Sequence, residues 1–92
     1  MTDENRQSDR CGRLSYRSWH RGTREMDLLM GSFADTHIGT FTPEQLDQYE
    51  VILQFSDPDL YNWVTGAEKL PPEQEGEVMR LLLTHKFATR AD

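Results

Sequence analysis

The chain has little of what most enzymes and secreted domains are built on. Cys11 is the only cysteine in 92 residues, which excludes an intrachain disulfide and a thiolate-only zinc site and fits a reducing compartment. There are three histidines, His20, His37 and His85, and no two stand at the spacing of a His-Glu-x-x-His or His-x-x-x-His metal motif. Neither a Gly-x-x-x-x-Gly-Lys-Ser/Thr loop nor a Gly-x-Gly-x-x-Gly turn occurs, so the chain has no phosphate cradle of its own. Uninterrupted apolar runs are a few residues long, too short to span a bilayer. The opening Met-Thr-Asp-Glu-Asn-Arg-Gln-Ser-Asp-Arg carries acids and no apolar core, so it reads as neither a secretory signal nor a transit peptide. No segment alternates with period two over strand length, and no sheet is expected.

What is present argues for one small folded domain. Hydrophobic residues are 36% of the chain and charged residues 28%, and four Phe, three Tyr and two Trp argue against full disorder. A domain of this size buries roughly 60–65% of its unfolded surface, so its core is thin and a deep catalytic cleft would be hard to build. The formal net charge is −6, which disfavours general binding to nucleic acid or anionic membranes. That value hides an asymmetry. Residues 1–24 carry six Arg against three acids, and residues 25–77 carry twelve acids against Lys69 alone. Such a split suggests a contact surface, although Arg residues paired with acids of the same domain would produce it too.

Periodicity predicts an all-α bundle of about five helices. Residues 1–9 are polar without periodicity and read as a flexible tail ahead of a domain over 10–90. Cys11, Leu14, Ser15, Ser18 and Trp19 define one face of a first helix over 10–19, ended by a turn at Gly22. Met26, Leu29, Met30, Phe33, Ala34 and His37 repeat at helical spacing and should supply the centre of the core, with Gly39 closing that helix. Thr42, Pro43 and Gln45 form an N-cap, a proline at the first helical position and a capping box, with Phe41 and Leu46 as a hydrophobic staple. Asp57-Pro58 repeats the start signal for a short fourth helix ended by Gly66. After Pro71-Pro72, which cannot continue a helix, a last helix is expected over 73–88 with Val78, Leu81, Leu82 and His85 inward.

Catalytic machinery is not apparent. Ser15, Ser18 and Cys11 lie near His20 in sequence, but such neighbours without a third orienting group do not make a nucleophilic site. His37 and His85 fall on apolar stripes and read as packed structural histidines, and Cys11 as a small core residue. The site candidate is the decapeptide Tyr16-Arg17-Ser18-Trp19-His20-Arg21-Gly22-Thr23-Arg24-Glu25, in which Arg, Tyr and Trp, the residue types of binding hot spots, are concentrated. Gly22 allows close backbone approach, and Glu25 stands where it can anchor a neighbouring Arg. From composition alone, a helical elbow with solvated Arg residues and a working interface stand equal.

Arg21-Gly22-Thr23-Arg24-Glu25 resembles the Arg-Gly-x-x-Glu motif of the succinate dehydrogenase assembly factors, the SdhE/YgfY type of FAD assembly factor. Leu28-Leu29-Met30-Gly31-Ser32-Phe33, Asp57-Pro58-Asp59-Leu60-Tyr61-Asn62-Trp63 and Met79-Arg80-Leu81-Leu82 follow in the family's order, so the likeness covers about residues 13–88. The resemblance implies a five-helix bundle with no enzymatic activity. It implies binding to the flavoprotein subunit of succinate dehydrogenase, and in some members of fumarate reductase, with covalent attachment of FAD to a histidine of that subunit. The cofactor would belong to the partner, and this chain would hold none stably. Arg21, Gly22 and Glu25 carry over as contact residues. Proximity and hot-spot chemistry extend the set to Tyr16, Arg17, Trp19, His20 and Arg24. Asp57, Pro58, Asp59 and Trp63 read as structural. A monomer in the bacterial cytoplasm is expected. The alternative from residues alone is another acidic helical binding module, such as the partner that neutralises a toxin. A flavin carrier acting alone would need a dinucleotide fold, which nothing here resembles.

Overall fold

The computed structural model describes residues 3–85. Five α-helices follow one another: α1 Asp3–Trp19, α2 Arg24–His37, α3 Pro43–Ile52, α4 Asp57–Thr65 and α5 Glu77–Thr84, with short 3-10 turns at Ile38–Thr40 and Pro72–Gln74 and no strand among the described residues. This is the all-α bundle that the hydrophobic periodicity requires.

The helix ends follow local chemistry. Thr23 is the N-cap of α2, its Oγ1 accepting from the Met26 N–H at 3.3 Å. Thr42 and Gln45 close a reciprocal capping box on α3. Gly66, at φ 82°, gives α4 the left-handed C-cap that a side chain would disfavour. Glycine at the N-cap of α5 offers no side chain, and Gln48 of α3 supplies the missing acceptor to the Val78 N–H at 3.1 Å.

The boundaries of three helices differ from the sequence expectation. Helix α1 begins at Asp3, not near residue 10, because nothing between 3 and 11 is Gly or Pro and Glu, Arg and Gln propagate a helix well. The N-cap of α4 is Ser56, not Asp57. Ser56 Oγ accepts from the Asp59 N–H at 3.2 Å and Pro58 stands at the second helical position, which frees Asp57 for another role. The last helix starts at Glu77 and ends at Thr84, because Glu75 and Gly76 are extended before it and His85 after it. The expected continuation over 86–88 lies outside the described residues.

Helix α2 runs through the middle of the core. Leu29, Met30, Phe33 and Ala34 are fully buried and meet Leu14 of α1, Leu46 and Tyr49 of α3, Leu60 of α4 and Val78 and Leu82 of α5. Helices α1 and α2 approach closely because the Trp19 ring lies on Gly31, where any Cβ would overlap the indole. The indole Nε1 then donates to Asp35 at 3.2 Å. One polar pair crosses the core. Ser18 donates to the Leu14 carbonyl at 2.7 Å and takes the Tyr49 hydroxyl at 2.6 Å, and burial pushes the Tyr49 phenol up to about 12. Phe33 is ringed by His37, Tyr49 and His85 at centroid distances of 4.6, 5.5 and 5.4 Å. The two histidines are thus half-buried core neighbours, as their stripe position suggests.

Phe33→Ala is expected to cost about 3–5 kcal/mol, since a cavity opens where the core rings converge. Chemical denaturation would show it, and an unchanged midpoint would displace Phe33 from the centre. Burial, with a smaller contribution from His37, holds His85 below the ordinary histidine value of 6.5, while its Nε2 shares a hydrogen bond with Ser32 Oγ at 2.9 Å. The unfolded chain therefore protonates at His85 before the folded one does, and stability falls as pH drops through 6.5. Denaturation midpoints of the parent and of His85→Gln should converge as pH is lowered from neutral. A gap that stays constant would remove His85 from the acid response.

Candidate functional site

The turn between α1 and α2 is made by backbone polarity. After Trp19 the chain must reverse, and Gly22 supplies a φ of 125° that side chains rarely adopt. A Cβ at Gly22 would meet nothing within 4 Å, so conformation rather than crowding requires glycine here. Asp27 holds the turn from the first coil of α2: its Oδ1 accepts the Arg21 N–H at 2.6 Å and the Gly22 N–H at 3.2 Å.

This turn aims Arg21 inward. Its Nε donates to Asp57 Oδ1 at 2.9 Å, one terminal nitrogen to the Leu53 carbonyl at 2.7 Å, and the other to the Phe55 carbonyl at 2.8 Å and to Asp57 at 2.8 Å. The Arg21 side chain is 11% exposed. Asp57 at the start of α4 neutralises the charge, and the guanidinium satisfies two carbonyls of the α3–α4 connection that helix geometry leaves over. Two segments 36 residues apart in sequence are thereby locked edge to edge.

The other expected site residues divide. Tyr16 is 63% exposed and stacks on His20 at 3.9 Å, with His20 Nδ1 bonded to the Tyr16 carbonyl at 2.7 Å. Arg17 stands beside them, half exposed and 3.8 Å from Glu50. Arg24 and Glu25 are exposed and make no ion pair among the described residues. The expectation that Glu25 anchors a neighbouring Arg is therefore corrected: Asp57 takes that place for Arg21. Trp19 is half-buried, its ring laid on Gly31. The structure brings Tyr16, Arg17, His20 and Arg21 together beside Asp57, and Glu25 lines a hollow that shares Asp57; Arg24 is exposed on α2.

The second motif completes this edge. Pro58 and Tyr61 of α4 face Thr23, Glu25 and Met26 across a groove of about 370 Å³, and Tyr61 is 40% exposed. A smaller hollow of about 240 Å³ lies between Tyr16, Arg17, His20, Arg21 and Asp57. Asp27, Tyr61 and the ionic role of Asp57 are not apparent from spacing. One signal was present: Ser56-x-x-Asp59 is itself a capping pattern, which leaves Asp57 over for another partner.

Among the described residues no three His, Cys, Asp or Glu side chains gather to hold a metal ion. A flavin pyrophosphate seeks free N–H groups at a helix N-terminus. Here the N–H groups of Arg21 and Gly22 are taken by Asp27 and that of Met26 by Thr23.

Comparison with known proteins decides the family. Residues 12–86 match the model of the family described as flavinator of succinate dehydrogenase. The chain belongs to that family. It is 44% identical over 73 residues to the mitochondrial succinate dehydrogenase assembly factor 2 of Dictyostelium discoideum, which covers 79% of this chain and 52% of that protein. It is 39% identical over 71 residues to the FAD assembly factor SdhE of Acetobacter pasteurianus, covering 77% of this chain and 65% of that protein. The chain thus spans between half and two thirds of the length of these curated relatives. No helix among the described residues is long and apolar enough to cross a membrane.

Arg21→Ala strands two carbonyls and a partly buried carboxylate, and should destabilise the fold by about 2–4 kcal/mol. Arg24→Ala, at an exposed site with no ion pair among the described residues, should stay within about 0.5 kcal/mol. In urea denaturation, Asp57→Asn combined with Arg21→Ala should cost less than the sum of the single changes. Equal midpoints for the two Arg variants would refute the clamp.

Proposed function

We propose that this protein binds the flavoprotein subunit of succinate dehydrogenase and promotes covalent attachment of FAD to it, acting without catalysis of its own. The observation that carries the reading is the convergence of the two family motifs on one edge, held by Arg21 and Asp57, in a chain whose family is described as flavinator of succinate dehydrogenase. The edge offers exposed Tyr16, His20, Arg17, Arg24 and Glu25 around a rigid turn, the mixture of aromatic and charged groups that fits a protein interface.

Attachment of FAD to a histidine is chemistry that the cofactor supplies once it is oriented and its developing charge is stabilised. A small binder contributes by engaging one arrangement of the flavoprotein more tightly than others, shifting the population by that difference. FAD then remains the partner's cofactor. A fumarate reductase flavoprotein is a second client of the same chemistry, and a monomer suffices for a one-sided edge of this kind. The single cysteine and the likeness to the Acetobacter protein support a bacterial, reducing cytoplasm.

The test is in-gel flavin fluorescence of the succinate dehydrogenase flavoprotein in cells lacking their own assembly factor. Expression of this chain should restore fluorescence, and the pair Tyr16→Ser with Arg24→Ala should lower it by about tenfold while the variant melts like the parent. Fluorescence equal with and without the chain would overturn the reading.

A further inference from the structure

The groove between α2 and α4 has a definite chemistry. Its floor and walls are apolar: Met26, which is 3% exposed, Pro58 and the ring of Tyr61. Its polar lining is anionic. Glu25 and Asp57 both face it, and Asp57 is already engaged by Arg21, which leaves Glu25 as the uncompensated carboxylate. The starts of α2 and α4 would ordinarily invite an anion, but two of their N–H groups are capped, that of Met26 by Thr23 and that of Asp59 by Ser56. An anion would meet the carboxylates of Glu25 and Asp57 there.

The geometry points to a cationic occupant: the groove receives an Arg or Lys side chain of the client flavoprotein, its aliphatic stem on Met26 and Pro58 and its charge at Glu25. Long cationic side chains satisfy both halves of such a site, because their stems are apolar and their heads are charged. The face of Tyr61 adds an attraction for the same cation. The volume of about 370 Å³ suits one such side chain with its flanking backbone. This inference rests on the client proposed above and divides the Arg-Gly-x-x-Glu motif by role: Arg21 and Gly22 build the edge from within, and Glu25 reads the partner.

The experiment measures the affinity of the purified full-length chain for the purified apo-flavoprotein subunit of succinate dehydrogenase, at low and at high salt. Glu25→Gln should weaken binding by about tenfold and Glu25→Arg by about a hundredfold, the second through direct repulsion. Tyr61→Ser should lose severalfold. The salt dependence of the Glu25→Gln complex should be shallower than that of the parent. Glu25→Gln and Tyr61→Ser should melt like the parent, since both side chains are exposed and Glu25 makes no ion pair among the described residues. Glu25→Arg, a cation in the first turn of α2, should stay folded with a slightly lower midpoint. If the parent binds and Glu25→Arg binds as tightly or more tightly, the groove proposal falls while the client reading stands. If the parent does not bind the subunit at all, both fall.

Discussion

One guanidinium organises the functional edge of this molecule. A domain of five short helices has a core able to fix helix positions but little polar structure left over to shape its surface. Arg21 supplies that shape. Its donors satisfy Leu53, Phe55 and Asp57 together, so a connection that apolar packing alone would leave loose becomes a fixed wall. The geometry needs a planar, multidirectional donor set. A lysine ammonium is a compact point charge and does not present the same fork to two carbonyls and a carboxylate.

Inward and outward roles alternate along the α1–α2 turn. Trp19 and Arg21 turn in, and Gly22 supplies the backbone angle. Tyr16, His20, Arg24 and Glu25 stay in water. Residues of one short motif therefore differ in surroundings: some are held inside by hydrogen bonds and packing, others stay exposed. Net charge follows the same division. Arg10 pairs with Asp47 and Glu50 at 2.6 and 2.8 Å, so part of the basic N-terminal segment is neutralised by the acidic middle of the chain. Arg24 and Glu25 at the elbow are among the charged side chains that make no ion pair among the described residues.

Much of the fold was legible because it is encoded locally. The stripe from Met26 to His37, the capping box at Thr42 and the glycine stop at Gly66 are all short-range signals. Helix ends were less so: Ser56 and Asp57 are both good caps, and tertiary pairing with Arg21 decides between them. Hot-spot composition and the family motif mark residues 16–25 as the candidate region, but its internal geometry was not legible: which side chains point inward depends on a contact 36 residues distant, which no periodicity encodes. Trp19 illustrates the same limit. A surface aromatic and one laid on Gly31 look alike until the partner helix is in place.

The length of the Arg21 contact has a kinetic meaning as well as a structural one. Closing a loop of that size is a late, entropically costly event compared with forming any one helix. The groove between α2 and α4 therefore depends on tertiary docking as well as on helix formation. Glu25 and Tyr61 line one hollow because two segments distant in sequence are held together, so the groove reports on packing rather than on helix content.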